Sequence, residues 1–228
     1  MKLIRSLLAA ALGMTMLCGC SGESSVYVQI PEKVTGTFED NPYFDITDTA
    51  LFRAAELSDG KPVTVAVYRI HVNESIDVDT TLTAYSASGQ KLDESREFTL
   101  PLVQGDDNYL AFQFMTDEPI AETKGTFEAF KMLERGPEHS VEMIQWQNAD
   151  GGGLSVAVEQ TGDRTGPLTR GRFLLSSGGK IIGCARSWFM KEYVQKKGDT
   201  AEIPADDWSD YICEDGQTPD KVEMFLNP

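Results

Sequence analysis

The side chains able to carry chemistry are few: two His (His71, His139) and four Cys in 228 residues. A His acting as general base needs a nucleophile and an orienting carboxylate beside it. No GxSxG or comparable pattern accompanies either His, so both read as structural or surface residues. Carboxylates pair at Asp77/Asp79, Asp106/Asp107 and Asp206/Asp207. Glycoside hydrolysis needs two such groups at a set separation in a cleft. Acidic pairs in the turns of an acidic protein do not require that explanation. Asp206, Asp207 and Asp210 are the best-placed Ca²⁺ ligands, but neither EF-hand spacing nor a repeated DxD array is present. Cys184 and Cys213 lack the CxxC spacing and the neighbouring His of a zinc site. Gly178-Gly179-Lys180 lacks the frame of a phosphate loop. The expectation is no catalytic residue, no metal and no cofactor.

The N-terminus carries a different kind of chemistry. Lys2 and Arg5 form a positive region, and Leu7 to Leu17 form an apolar run too short to span a bilayer. The run ends in Leu17-Cys18-Gly19-Cys20. This resembles the bacterial lipobox, with a Leu three positions before the Cys and a small residue directly before it. The resemblance implies cleavage after Gly19 and a diacylglycerol on Cys20. Two acyl chains suffice for stable anchoring. The implied location is the cell envelope, on the outer face of the cytoplasmic membrane or on an outer membrane. An ordinary secretory signal or a short uncleaved anchor is the alternative, and within the lipobox reading Cys18 is the second candidate for the lipid.

Beyond the leader, Ser21 to Ser25 is small and polar and reads as a tether. Acidic residues outnumber basic ones 36 to 20, a net charge of −16. That balance argues against nucleic acid, whose phosphates call for surplus Lys and Arg. From Val26 onward, short runs rich in Val, Ile, Thr, Phe and Tyr alternate with Gly, Asp, Asn and Pro clusters. This is the pattern of an all-β sandwich or barrel. A series of landmarks returns in the same order after roughly ninety residues: VTVAV (63–67) as LSVAV (154–158), Ser88-Gly89 as Ser177-Gly178, Gly105-Asp106 as Gly198-Asp199. The pattern predicts a signal peptide (1–19), a lipidated Cys with tether and possible first strand (20–47), and two sandwiches (48–134, 135–228). The boundary falls in Glu134-Arg135-Gly136-Pro137-Glu138. Gly36-Thr37-Phe38-Glu39 recurs as Gly125-Thr126-Phe127-Glu128. That match makes 26–47 a candidate first strand of the first domain and would shift the repeat boundary towards residue 117. Leu110, Phe112 and Phe114 should share one strand face, as should Val222, Met224 and Leu226.

A strand, a small-residue turn with Gly, Lys followed by apolar residues, another strand and a Gly-Asp turn resemble the FxLYD-type immunoglobulin-like modules of extracytoplasmic bacterial lipoproteins. Phe173 to Ile203 carries the resemblance best, and Tyr85 to Leu92 with Gly105-Asp106 carries it more weakly. The Tyr-Asp of that family is replaced by Tyr85-Ser86 and Leu175-Ser176. The resemblance implies two tandem immunoglobulin-like β-sandwiches and no particular activity.

Outside the cytoplasm, Cys184 and Cys213 are free to form a disulfide. It would close a loop of about thirty residues, worth on the order of 3–4 kcal/mol. Two buried reduced thiols are the alternative. Arg164 to Lys197 is strongly basic and Gly198 to Glu223 strongly acidic. Those charges either cancel across one sandwich surface or leave a basic face, including Arg170 and Arg172, for an anionic partner. Trp208 lies in a polar loop with Tyr211 nearby. It either stacks on a sugar or a protein partner, or covers the sandwich edge. The sequence therefore predicts a non-catalytic binding or scaffolding module, held to the membrane by its lipid anchor, with an envelope protein or wall polymer as its partner and no nucleic acid. A carbohydrate- or wall-polymer-binding module is the first alternative, and an envelope hydrolase the second.

Overall fold

The computed structural model of the chain describes residues 33–55, 62–131, 141–148, 153–162, 170–188, 196–205 and 211–227. Every regular element among them is a strand, and all strand pairing is antiparallel. The first half contributes β1 (Val34–Thr37), β2 (Phe44–Ala55), β3 (Pro62–Val72), β4 (Ile76–Tyr85), β5 (Lys91–Leu102), β6 (Asp107–Phe114) and β7 (Glu122–Lys131). The second contributes β8 (Val141–Asn148), β9 (Leu154–Gln160), β10 (Arg170–Ser177), β11 (Lys180–Trp188), β12 (Thr200–Ala205), β13 (Tyr211–Cys213) and β14 (Lys221–Asn227). The all-β sandwich expected from the sequence is the observed architecture.

Each half holds one three-stranded and one four-stranded sheet. In the first half these are β2-β3-β6 and β1-β7-β4-β5. In the second they are β8-β9-β12 and β14-β10-β11-β13. The order β2-β3-β6 against β7-β4-β5 thus returns as β8-β9-β12 against β14-β10-β11. The edge strands differ: β1 flanks β7 in one half, and β13 flanks β11 in the other. Residues 34–47 therefore build part of the first half, supplying β1 and the start of β2.

The recurrent Gly-Thr-Phe-Glu segments pair with each other. Gly36 lies opposite Phe127 and Thr37 opposite Thr126, and the Phe38 amide bonds Gly125 O at 3.0 Å. The Phe127 ring fills the space a Cβ on Gly36 would need, and the Phe38 ring does the same at Gly125. The repeated tetrapeptide is a reciprocal clasp that closes one sheet edge. The proposed boundary at 134–138 lies outside the described residues.

Alternation places the cores. Leu110, Phe112 and Phe114 are fully buried on one face of β6, facing Val78, Leu82 and Leu100 from the opposing sheet. Val222, Met224 and Leu226 pack into the corresponding core of the second half with Val156, Val158 and Phe173. A third core joins the halves. Phe52, Val63, Val65, Val67 and Tyr109, on the outer face of β2-β3-β6, meet Leu174, Ile181, Cys184 and Ile212 on the outer face of the β10–β11 sheet. Both faces of β3 are covered, which is why Val63 to Val67 is buried without alternation, Thr64 included. Turn chemistry also matches. Gly178 and Gly179 have φ of +56° and +79° in the tight β10–β11 hairpin, the positive values that such a turn needs.

Candidate functional site

Polar residues repeat with period 2 along β5: Asp93, Ser95 and Glu97. Their side chains point at the open edge of β6 and accept its amides. Met115 N bonds Asp93 Oδ2 at 2.7 Å, Gln113 N bonds Ser95 Oγ at 3.0 Å, and Ala111 N bonds Glu97 Oε2 at 2.9 Å. An edge that would otherwise recruit another strand is capped by side chains.

This cap carries Glu97 into the seam between the halves. Its Oε1 accepts from Arg172 Nη1 at 2.5 Å and from Arg186 Nη2 at 2.6 Å. Glu97 and Arg172 are 4% and 1% exposed, so the pair is almost dry. Arg172 Nη2 also donates to Tyr109 O at 2.6 Å, and its guanidinium lies 4.3 Å from the Tyr109 ring centroid. The Tyr109 hydroxyl donates to Ala185 O at 2.8 Å. Burial acts to raise the Glu97 pKa. The charges of Arg172 and Arg186, with hydrogen bonds from Arg172 and the Ala111 amide, outweigh it and hold the carboxyl below its ordinary value. A buried ion pair of this kind gives little net stability over an apolar substitute, yet losing one member is costly. It ties β5 and β6 of the first half to β10 and β11 of the second.

A second polar group is more open. His71 Nδ1 lies 2.9 Å from Asp107 Oδ1, with both side chains 45% exposed. The His71 hydrogen bond, with the nearby Arg69, holds Asp107 below the usual carboxylate range. Arg69 also bridges the halves through Glu223, at 2.9 Å.

A cleft of about 490 Å³ is lined by residues of both halves. Leu51, Arg53 and Thr64 form its floor, Asp117 to Ile120 one wall, and Glu214 with Asp215 the other. Leu51 is 50% exposed, unusual for a Leu in the middle of a long strand. Among the described lining residues four carboxylates face one guanidinium, a net acidic set.

The sequence-predicted site residues fare unevenly. Tyr211 is buried in the second core and Arg172 is enclosed at the seam, so neither offers a surface to a ligand. Arg170 lies in β10 opposite Trp188 and Asn227. Trp208, Asp206, Asp207, Asp210 and Cys20 lie outside the described residues, as does His139. The expected Cys184–Cys213 disulfide is not formed; both thiols are free. The reason is register. Cys184 pairs with Ile212 and belongs to the seam core, whereas Cys213 pairs with Gly183 and packs towards the second core. The two Sγ atoms sit on opposite faces of one sheet. Two of the basic residues between 164 and 197 reach across the seam. Arg172 and Arg186 spend their charge on Glu97 of the other half. Glu97, Leu51 and Arg53 are the residues that sequence reasoning missed. The period-2 polar run at 93–97 was the available signal for Glu97, but it looks the same as a solvated strand face.

No family model and no curated protein matches the sequence. A solved structure, the N-terminal CBM22-1-CBM22-2 tandem domain from Paenibacillus barcinonensis Xyn10C, aligns at 9% identity over 89% of this chain and 92% of that one, with a TM-score of 0.14. A likeness at that level assigns neither fold nor ligand.

Proposed function

We propose that this chain is a non-catalytic binding or scaffolding module of the bacterial cell envelope, built of two immunoglobulin-like sandwiches and held to the membrane by diacylglycerol on Cys20. The leader sequence Leu17-Cys18-Gly19-Cys20 supports the anchor. The returning strand order supports the paired sandwiches. The observation that carries the binding reading is the seam cleft with half-exposed Leu51 on its floor, formed by both halves while the Glu97 cluster ties them together. A concave site between two sandwiches fixed by a buried polar lock is pre-organised, which lowers the entropic cost of taking a partner.

Two measurements test the two parts separately. Metabolic labelling with a radioactive fatty acid should mark the wild-type protein and leave Cys20→Ala unlabelled; equal labelling of both would remove the anchor. In-cell crosslinking from a photoreactive residue at position 51, followed by mass spectrometry, should capture one dominant partner. Capture of nothing, with the protein intact, would remove the binding role of the cleft. Capture of wall polymer instead of protein would turn the reading to polymer binding.

A further inference from the structure

The floor of the cleft is also a sheet edge: among the described residues no strand pairs with the outer side of β2. In the β2–β3 pair, Ala55 lies opposite Pro62, which has no N–H to give, so that pair is a non-hydrogen-bonded one. Every second residue from there, Arg53, Leu51 and Thr49, therefore turns its backbone N–H and C=O away from β3. The far side of the strand agrees: Arg53 O accepts the Asp215 amide at 3.0 Å, from the turn after β13. That single bond is the first rung of an added strand. The Leu51 N–H and C=O have no partner among the described residues, and the Thr49 amide is met only by Asp48 Oδ1, at 2.8 Å.

The surroundings choose the occupant. Among the described lining residues, the carboxylates Asp117, Glu118, Glu214 and Asp215 stand around that edge with Arg53, and Leu51 supplies an apolar contact. The opposite edge of the same sheet, β6, is shielded by Asp93, Ser95 and Glu97, whereas β2 has no such cap at Leu51 among the described residues. We propose that the β2 edge at Thr49, Leu51 and Arg53 takes an extended, basic peptide segment as an added antiparallel or parallel strand, continuing the pairing begun by Asp215. Main-chain bonds give the affinity, and the carboxylates select Lys and Arg side chains at alternate positions. This names the partner class for the binding reading above and rests on it.

The test uses the full chain in detergent and a fluorescent heptapeptide alternating Lys and Val. Its binding is followed by anisotropy. A control peptide methylated on alternate amide nitrogens keeps the charge but cannot pair. The Lys peptide should bind saturably. Methylation, and the paired reversal Glu118→Lys with Glu214→Lys, should each weaken binding about tenfold. Leu51→Pro removes one outward N–H at an edge position that tolerates Pro, and should weaken it about fivefold. The methylated peptide leaves the protein untouched, so this arm holds even where a variant folds poorly. Equal binding of the methylated peptide would mean charge attraction alone and overturn the proposal. Absence of binding would also overturn it. A partner crosslinked in cells from position 51 would then still stand as evidence for the binding module, with a different kind of contact.

Discussion

Glu97 of β5 and Arg172 of β10 lie 75 residues apart in sequence and meet at 2.5 Å in the seam between the halves, where both are almost closed to water. One carboxylate there answers two guanidinium groups and a backbone amide. Removing its charge leaves Arg172 buried and unpaired. Glu97→Gln should destabilise the protein by about 3–5 kcal/mol, read as a lower urea midpoint. An unchanged midpoint would show that the cluster does not hold the halves.

The same group sets an acid limit. Its folded-state pKa lies below the ordinary Glu value. Its contribution is therefore complete above the ordinary carboxylate range and is lost as pH falls through the depressed value. Urea midpoints measured from pH 7 down to pH 3 should decline in the wild type. The decline should be shallower in Glu97→Gln, which has no such proton to bind. Parallel declines in the two proteins would assign the acid sensitivity elsewhere.

The reciprocal clasp of β1 on β7 predicts a size limit at two glycines. Gly125→Ala puts a methyl where the Phe38 ring sits, and Gly36→Ala does so against Phe127. Each should cost about 1–3 kcal/mol. Hydrogen exchange should report the loss first at the Phe38 amide, which bonds Gly125 O. Protection there equal to the wild type would mean that the rings move aside freely.

The two thiols should differ in reactivity while the protein is folded. Burial pushes Cys184 up to about 11, and the Arg186 and Arg172 charges only partly offset this. Cys213 is also raised by burial but stays partly exposed. In non-reducing buffer at pH 8, alkylation followed by peptide mapping should modify Cys213 first. Cys184 should react only on unfolding, when both become labelled. A Cys184–Cys213 peptide that resists labelling until reduction would contradict the free thiols.

Much of this architecture is legible locally. β9 alternates buried and half-buried residues from Leu154 to Gln160, and the hairpin glycines stand where the chain turns. Such features depend on neighbours two or three residues away. Glu97 is different, because nothing near it says whether a polar alternation faces water or the edge of another sheet. The disulfide expectation failed for a related reason. Cys184 and Cys213 lie on paired strands, but a one-residue offset sends their side chains to opposite faces. Leu51 falls between Ala50 and Phe52, both turned to the seam core, and only the assembled cleft explains its exposure.

The shared core also bears on biogenesis. When translation has passed β7, the first half can close its own core, but Phe52, Val63, Val65 and Val67 still await Leu174, Ile181 and Ile212. A chain stopped after β7 would therefore show a sticky valine-rich sheet with an unanswered Glu97 beside it. Truncated products should aggregate or be degraded, so the first half depends on the second being made before it is left on its own.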